Sequence, residues 1–392
     1  MADLLAFEEA LARVLEHAVP LPAEEVELRD GAGRVLAEDA RAAVDLPPFP
    51  SSAMDGFALR AADTPGELPI VARIAAGSPA ERDLAAGEAM AIATGGVVPG
   101  GADAVIQLEL VADSGNAIKV GESVAEAANI RPRGADVRAG DLAVEAGTRL
   151  SARHVGALGA AGVASVSCRS QPVAAVLATG SELQRPGEPL EPGQVYEANG
   201  TLLAAALADA GAHVASVSSV ADDEGEHRRA LERALEADVV VTSGGVSVGP
   251  HDLVRRTAEE LGVEELFWRV AVKPGKPVSF GVRGPTLVFG LPGNPVSTLV
   301  GFELFVRPAL RALEGERDPG PRFEDGRLAR SVRRNAVRDE LVRARRTADG
   351  LEPLTGQESH MIVRAAAADA LVLVRRGEGD VAAGEPVPFL RL

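Results

Sequence analysis

Cysteine is almost missing from this chain, with Cys168 the only one among 392 residues. Its scarcity rules out an intrachain disulfide and a thiolate metal cluster, fits a reducing compartment, and leaves Cys168 to act as a small apolar residue. Aromatic residues reach only 3%, with one tryptophan, one tyrosine and ten phenylalanines. That is too sparse for the stacking platforms that hold single-stranded nucleic acid. Positive charge is short as well: 40 lysines and arginines face 57 acids, a formal net charge of −17. Such a balance argues against a nucleic-acid backbone or an anionic membrane surface as partner. An anionic ligand must then be held by local N–H groups, by lysines or by a cation. No apolar run approaches the roughly 20 residues of a membrane span. The first helix signal, Asp3 to His17, carries Asp3, Glu8 and Glu9 and does not read as a signal peptide. A cytoplasmic protein is expected.

What the chain does have is core and punctuation. At 392 residues and 46% hydrophobic content it predicts two to four domains. The stretch Val239 to Asp252, VVVTSGGVSVGPHD, joins a β-branched run, a glycine turn, hydroxyl groups and a carboxylate. The run suits a buried strand, and Asp252 suits the cap of a helix whose apolar positions are Val254, Ala258 and Leu261. A strand, a glycine loop and a helix start form a seat for a phosphate or another oxyanion. A tight turn that needs glycine only for its backbone angle is the plainer alternative. The loop is neither a Walker A nor a GxGxxG dinucleotide loop.

From Gln171 to Gly315 strands and helices alternate, which predicts a mainly parallel sheet covered on both faces. Ligands of such sheets bind outside the carboxyl ends of the strands. The loops expected there carry Thr179-Gly180-Ser181-Glu182, Asp222-Asp223, Thr242 to Asp252, Lys273 to Pro277 and Leu291 to Pro295. Clustered carboxylates, two lysines and a glycine nest suit a Mg²⁺-assisted phosphate-ester or phosphoanhydride enzyme. Thr242, Ser243 and Ser247 are candidates for hydrogen-bonding an oxyanion, and no His/Cys group supports zinc.

Upstream, the prolines of Leu46 to Arg60 make a rigid connection ending at Met54-Asp55-Gly56, where glycine allows an unusual angle beside a carboxylate or simply an Asp-Gly turn. Short apolar runs between Ile70 and Gly147 predict a small β-rich domain containing the turn Thr94-Gly95-Gly96, and Asn129 to Asp141 reads as a charged loop. His154, near the start of the helix Leu150 to Gly162, reads as a surface or capping residue. The tail from Pro321 predicts a small β domain.

In order along nearly the whole chain, SAMDGFA, ATGGVVPxGADAV, RxxGADxxxG, TGSEL, TSGGVSVGxxD, VKPGKP and FGLPGNPVS resemble the MoeA family of molybdopterin molybdenumtransferases, which includes the E domain of gephyrin. The loop TSGGVSVGxxD alone is shared with MogA-type adenylyltransferases. The resemblance implies insertion of molybdate into adenylylated molybdopterin with release of AMP and a divalent cation, Mg²⁺. Carried over motif by motif, it implies catalytic roles for Asp55, Asp136, Glu182, Asp222 and Asp252, with Glu182, Asp222 and Asp252 as metal ligands. It implies substrate contacts at Thr94, Thr242, Ser243, Gly244, Gly245, Ser247, Gly249, Lys273, Lys276, Pro292 and Pro295, with the two lysines on molybdate. Arg343 and Ser359 fall where the family places oxyanion contacts.

The implied fold is α/β multidomain: a three-layer α/β/α MogA-like domain over 171–318 and a β-rich insertion domain over 46–141. A helical linker domain from 1–45 plus 142–170 and a small C-terminal β-barrel over 319–392 complete it. A homodimer is implied, in which the insertion domain of one subunit faces the α/β domain of the other; a molybdopterin adenylyltransferase is an implied partner. Three departures stand out: Ser181 where the family often has an acid, Ala135 for glutamate, and Glu197-Ala198-Asn199 for Asp-Ser/Thr-Asn. Two rivals stay open, a molybdopterin adenylyltransferase and a non-catalytic scaffold.

Overall fold

The computed structural model describes residues 4–245 and 253–392. Ser247, Gly249 and Asp252 lie outside the described residues. Among the described residues no helix is long and apolar enough to cross a membrane.

The central six-stranded sheet runs in the spatial order His213–Val220, Val173–Thr179, Val239–Ser243, Thr286–Leu291, Ser279–Arg283 and Glu264–Trp268. Its first four strands are parallel, and the last two join antiparallel. Only Gly284 and Pro285 connect Ser279–Arg283 to Thr286–Leu291, and Gly284 has φ 57°. Two residues can close a hairpin but cannot carry a crossover, so this edge had to turn antiparallel.

Alternation on the strands explains both helical layers. Ala174, Val176, Val239 and Val241 face the helix Asn199–Asp209 through Leu203 and Leu207. Ala175, Leu177 and Val240 face Ala230 and Leu231 of Glu224–Ala234 and Ala258 of Leu253–Glu260. The N-terminal helix Phe7–His17 joins the first of these layers, with Phe7 packed edge-on against Phe305 at 5.8 Å. A continuous helical stretch follows the last parallel strand. It runs through Pro295–Gly301, a π-helical segment Phe302–Val306, and Arg307–Leu313.

The flanks of the insertion meet each other. Strand Ala23–Glu27 pairs antiparallel with Ser165–Arg169 over a core of Leu36, Leu158 and the fully buried Cys168, whose thiol is pushed up by burial. His154 caps the helix Ala152–Ala160, its ring accepting the Ser151 amide at 3.1 Å, as the sequence suggested. The inserted sheet itself orders Ala104–Gln107, Gly56–Leu59, Ala89–Ile92, Gly66–Ile74, Ala117–Val120 and Val111–Asp113. Its two hydrophobic clusters are separate from the core of the α/β sheet. Gly56 is needed here for space, and its backbone angle is ordinary: a Cβ would lie 1.9 Å from the Ile106 carbonyl oxygen.

At the C-terminus, Phe323–Arg327, Pro386–Arg391, Ala370–Val374, Asp339–Thr347 and Gly350–Pro353 pair in succession. A bridge from Leu328 to Leu351 brings the first strand back to the last. Two residues from the α/β region, Val272–Lys273, extend this sheet by pairing parallel with Asp339 and Glu340.

Candidate active site

A cleft of about 430 Å³ opens at the carboxyl ends of the parallel strands, where the sequence placed it. Glu182, Asp222, Ser243, Gly244, Gly245 and Pro292 line it together. Asn199, Glu197, Gly293, Asn294 and Pro277 also line it.

The turn needs glycine on two counts, angle and space. Gly244 and Gly245 have φ 91° and 64°, angles that side chains rarely adopt. They are also crowded: a Cβ on Gly244 would lie 2.4 Å from the Thr179 carbonyl oxygen, and one on Gly245 would lie 2.3 Å from Val254 Cγ2. A Cβ on Gly293 would sit 3.7 Å from Gly244 Cα, so the two glycine loops meet backbone to backbone across the cleft. Main-chain groups therefore make up much of its wall, as an anion seat requires.

Asn199 ties those loops together. Its Nδ2 donates to Ser243 Oγ at 2.8 Å and to the Gly293 carbonyl at 2.7 Å, while its Oδ1 is buried with no partner among the described residues. The sequence marks it only as the last residue of the Glu197-Ala198-Asn199 departure, with no role assigned. Thr298 Oγ1 braces the same loop by donating to the Pro292 carbonyl at 2.6 Å. Pro295 stands at the first turn of the following helix, a position that suits its fixed φ.

Ser181 and Asp222 form a reciprocal pair. The serine hydroxyl lies 3.2 Å from Asp222 Oδ2 and accepts the Asp222 amide at 3.0 Å. Glu182 folds back over Gly180, its Oε2 standing 2.6 Å from where a Cβ on that glycine would be. Among the described residues no three His, Cys, Asp or Glu side chains gather into a metal-holding group. Glu182 and Asp222 remain as two oxygen donors on one cleft. His227, on the helix after Asp222, is fully buried with neither ring nitrogen partnered, and burial pushes its pKa down against the opposing pull of Asp222.

Other expected residues lie elsewhere. Thr242 is 1% exposed, its hydroxyl donates to the Phe289 carbonyl at 3.3 Å, and it lines a separate cavity beside Leu253–Glu260. Lys273 pairs with Glu340 at 3.0 Å, and Lys276 directly precedes the cleft-lining Pro277. Asp55, Thr94 and Asp136 belong to the insertion and do not line the cleft. Asp55 Oδ1 accepts the Thr94 amide at 2.8 Å, which joins two residues 39 apart. The Asp136 loop is stapled by Asp45, a residue the sequence did not single out, which accepts from Ala139 N at 2.8 Å and Arg133 Nε at 2.5 Å. Those bonds, the Ala139 amide first, hold the Asp45 carboxyl below its usual range.

Arg343 is 1% exposed and occupied. It donates to Gln357 Oε1 and to the carbonyls of Gly356, Glu358 and Met361. The loop so held presents the Ser359 carbonyl to the Val296 amide at 3.0 Å.

A cleft walled by backbone at the carboxyl edge of a parallel sheet, with an inserted sheet and a closed C-terminal sheet attached, defines a multidomain enzyme of the MoeA architecture. Family profiles described as "MoeA N-terminal region (domain I and II)", "Probable molybdopterin binding domain" and "MoeA C-terminal region (domain IV)" match residues 5–162, 175–312 and 325–392. The molybdopterin molybdenumtransferase of Haemophilus influenzae is 33% identical over 99% of this chain and 100% of its own. Molybdopterin molybdenumtransferase 2 of Mycobacterium tuberculosis is 38% identical over 75% of this chain and 76% of its own. The crystal structure of a molybdopterin biosynthesis MoeA protein from Pyrococcus horikoshii superposes with a TM-score of 0.87 at 30% identity, covering 100% of both chains. This chain belongs to the molybdopterin molybdenumtransferase family, whose members are transferases of molybdenum cofactor biosynthesis.

Proposed function

We propose that this protein transfers molybdenum from molybdate into adenylylated molybdopterin and releases AMP. The observation that carries the reading is the meeting of two glycine loops, at Gly244-Gly245 and Gly293, beside Glu182 and Asp222 in one cleft. Backbone N–H groups there can take phosphate oxygens. Ser243 and Asn199 set the separation of the two walls. Mg²⁺ characteristically binds through one or two carboxylates plus substrate phosphates, so Glu182 and Asp222 fit it as a pair, with Asp252 as the third proposed ligand. When bound, the cation would neutralise charge developing on the phosphate oxygens. Lys273 and Lys276 would hold molybdate as point-charge donors on a proline-braced loop.

A homodimer accounts for the remaining residues. Asp55 and Thr94 sit in turns beside strands Gly56–Leu59 and Ala89–Ile92, in a sheet whose hydrophobic clusters are separate from the cleft's core. If that sheet faces the cleft of a second copy, the two form one composite site. A cytoplasmic setting and a molybdopterin adenylyltransferase as supplier of the adenylate complete the reading.

The test is to incubate purified protein with adenylylated molybdopterin, Mg²⁺ and molybdate and follow AMP, beside Glu182→Ala and Asp252→Ala. Molybdate-dependent release that both variants lose supports the reaction and the site. Formation of adenylate from ATP and molybdopterin, with no AMP release from the adenylate, would make the protein an adenylyltransferase; neither activity would make it a scaffold.

A further inference from the structure

Val272 and Lys273 leave the α/β domain to pair in parallel with Asp339 and Glu340 at the edge of the C-terminal sheet. Residues in register on adjacent strands project to the same face, so Lys273 and Glu340 meet directly. Their ion pair spans 3.0 Å, with 43% of the lysine side chain exposed but only 13% of the glutamate's. Glu340 is thus the fixed partner and Lys273 the accessible one. Asp339, the other carboxylate on this edge, is already engaged: it pairs with Arg375 at 3.0 Å and accepts the Arg376 amide at 2.8 Å. Among the described residues Lys276 has no carboxylate within ion-pair distance.

We propose that Glu340 is a positioning residue and resident counter-ion for Lys273, which it holds in place and yields to an incoming tetrahedral oxyanion. The proposal rests on the reading of Lys273 as a molybdate ligand. A carboxylate 3.0 Å from the ammonium orders a long, rotamer-rich side chain before the ligand arrives. The same carboxylate repels a dianion at that ammonium. Glu340 therefore makes molybdate binding weaker than the lysine alone would allow, and it weakens sulfate, a dianion of the same shape, in the same way. If its ordering of the lysine outweighed its charge, the sign would be the opposite, since loss of the pair would weaken binding.

The experiment is equilibrium dialysis of the full-length protein against molybdate, with sulfate as competitor, for wild type, Glu340→Gln, Glu340→Asp and Lys273→Met. Glu340→Gln should lower the molybdate dissociation constant roughly three- to tenfold, the size of one partly exposed charge interaction, and lower the sulfate inhibition constant alongside it. Glu340→Asp keeps the charge, so its affinity should be no tighter than wild type even if Glu340→Gln proves unstable. Unchanged or weaker binding in a folded Glu340→Gln protein, or tightening in Glu340→Asp, overturns the proposal. Unchanged binding in Lys273→Met overturns instead the assignment of Lys273 to molybdate, a result the glutamate variants cannot mimic.

Discussion

Ser181 and Asp222, far apart in sequence, hold each other in both directions: the serine hydroxyl reaches Oδ2 at 3.2 Å and accepts the Asp222 amide at 3.0 Å. The family often carries an acid where this chain has Ser181. Here the position orients a carboxylate and adds no charge of its own. Ser181→Ala should raise the Mg²⁺ concentration giving half-maximal AMP release by roughly three- to tenfold, one hydrogen bond's worth, with little change in unfolding midpoint because both residues are exposed. A titration of activity against Mg²⁺ reads this, and an unchanged curve would remove the serine from the site.

Glycine at 244 is required twice over, by its φ of 91° and by the Thr179 carbonyl 2.4 Å from a would-be Cβ. Gly244→Ala should cost about 2 kcal/mol or more in urea unfolding, since positive-φ strain and a backbone clash add. Gly284→Ala, with φ 57° and open space around it, should cost about 1 kcal/mol. Equal losses in the two variants would show that crowding at the cleft is relieved by movement.

A composite dimer site makes a complementation prediction. Asp55→Ala and Glu182→Ala homodimers should each be inactive. When they are unfolded, mixed in equal amounts and refolded, half of the dimers are mixed, each with one intact site of two, so about a quarter of wild-type activity should return. No recovery would place both residues in the site of a single subunit.

His227 gives the protein an acid-side liability. Burial lowers its folded pKa below the ordinary 6.5, so the unfolded chain takes up the proton first as pH falls. Stability from this group is fully present above the unfolded value and is lost as pH drops from there toward the folded one. Urea unfolding of wild type should therefore weaken between pH 7 and mildly acidic pH, and His227→Leu should flatten that slope. An identical slope in the variant would assign the acid sensitivity to other groups.

The central strands were legible because their cause is local. Val239 to Val241 and the alternation of strands with amphipathic helices specify a sheet covered on both faces, and its loops delivered Glu182, Asp222 and Ser243 to the cleft. Strand alternation carries a further signal: Thr242 and Ser243 are adjacent on one strand, so only one of them can face the cleft. The two-residue link at Gly284-Pro285 likewise implied the antiparallel edge. The pairing of Val272–Lys273 with Asp339–Glu340 had no such signal, because a two-residue strand has no periodicity to read. The roles of Asn199 and Asp45 escaped for another reason. Their roles depend on loops that are distant in sequence, and an asparagine at a helix start or an aspartate before a proline-rich turn is unremarkable on its own.

The π-helical segment Phe302–Val306 sets the angular phase of everything after it. Within it the Arg307 amide reaches back five residues to the Phe302 carbonyl, and the Arg307 guanidinium lies 5.2 Å from the Phe302 ring centre. Five residues overshoot an α-helical turn by about 140° at 3.6 residues per turn, so that stacking exists only where the helix is widened. Winding the same residues as a regular α-helix would rotate Arg307–Leu313 relative to the sheet. Glu314, which follows that helix and clasps Arg149 of the insertion's flank, would be swung off its partner. A single widened turn thus works as a gear setting between the α/β sheet and the arm that carries Asp55.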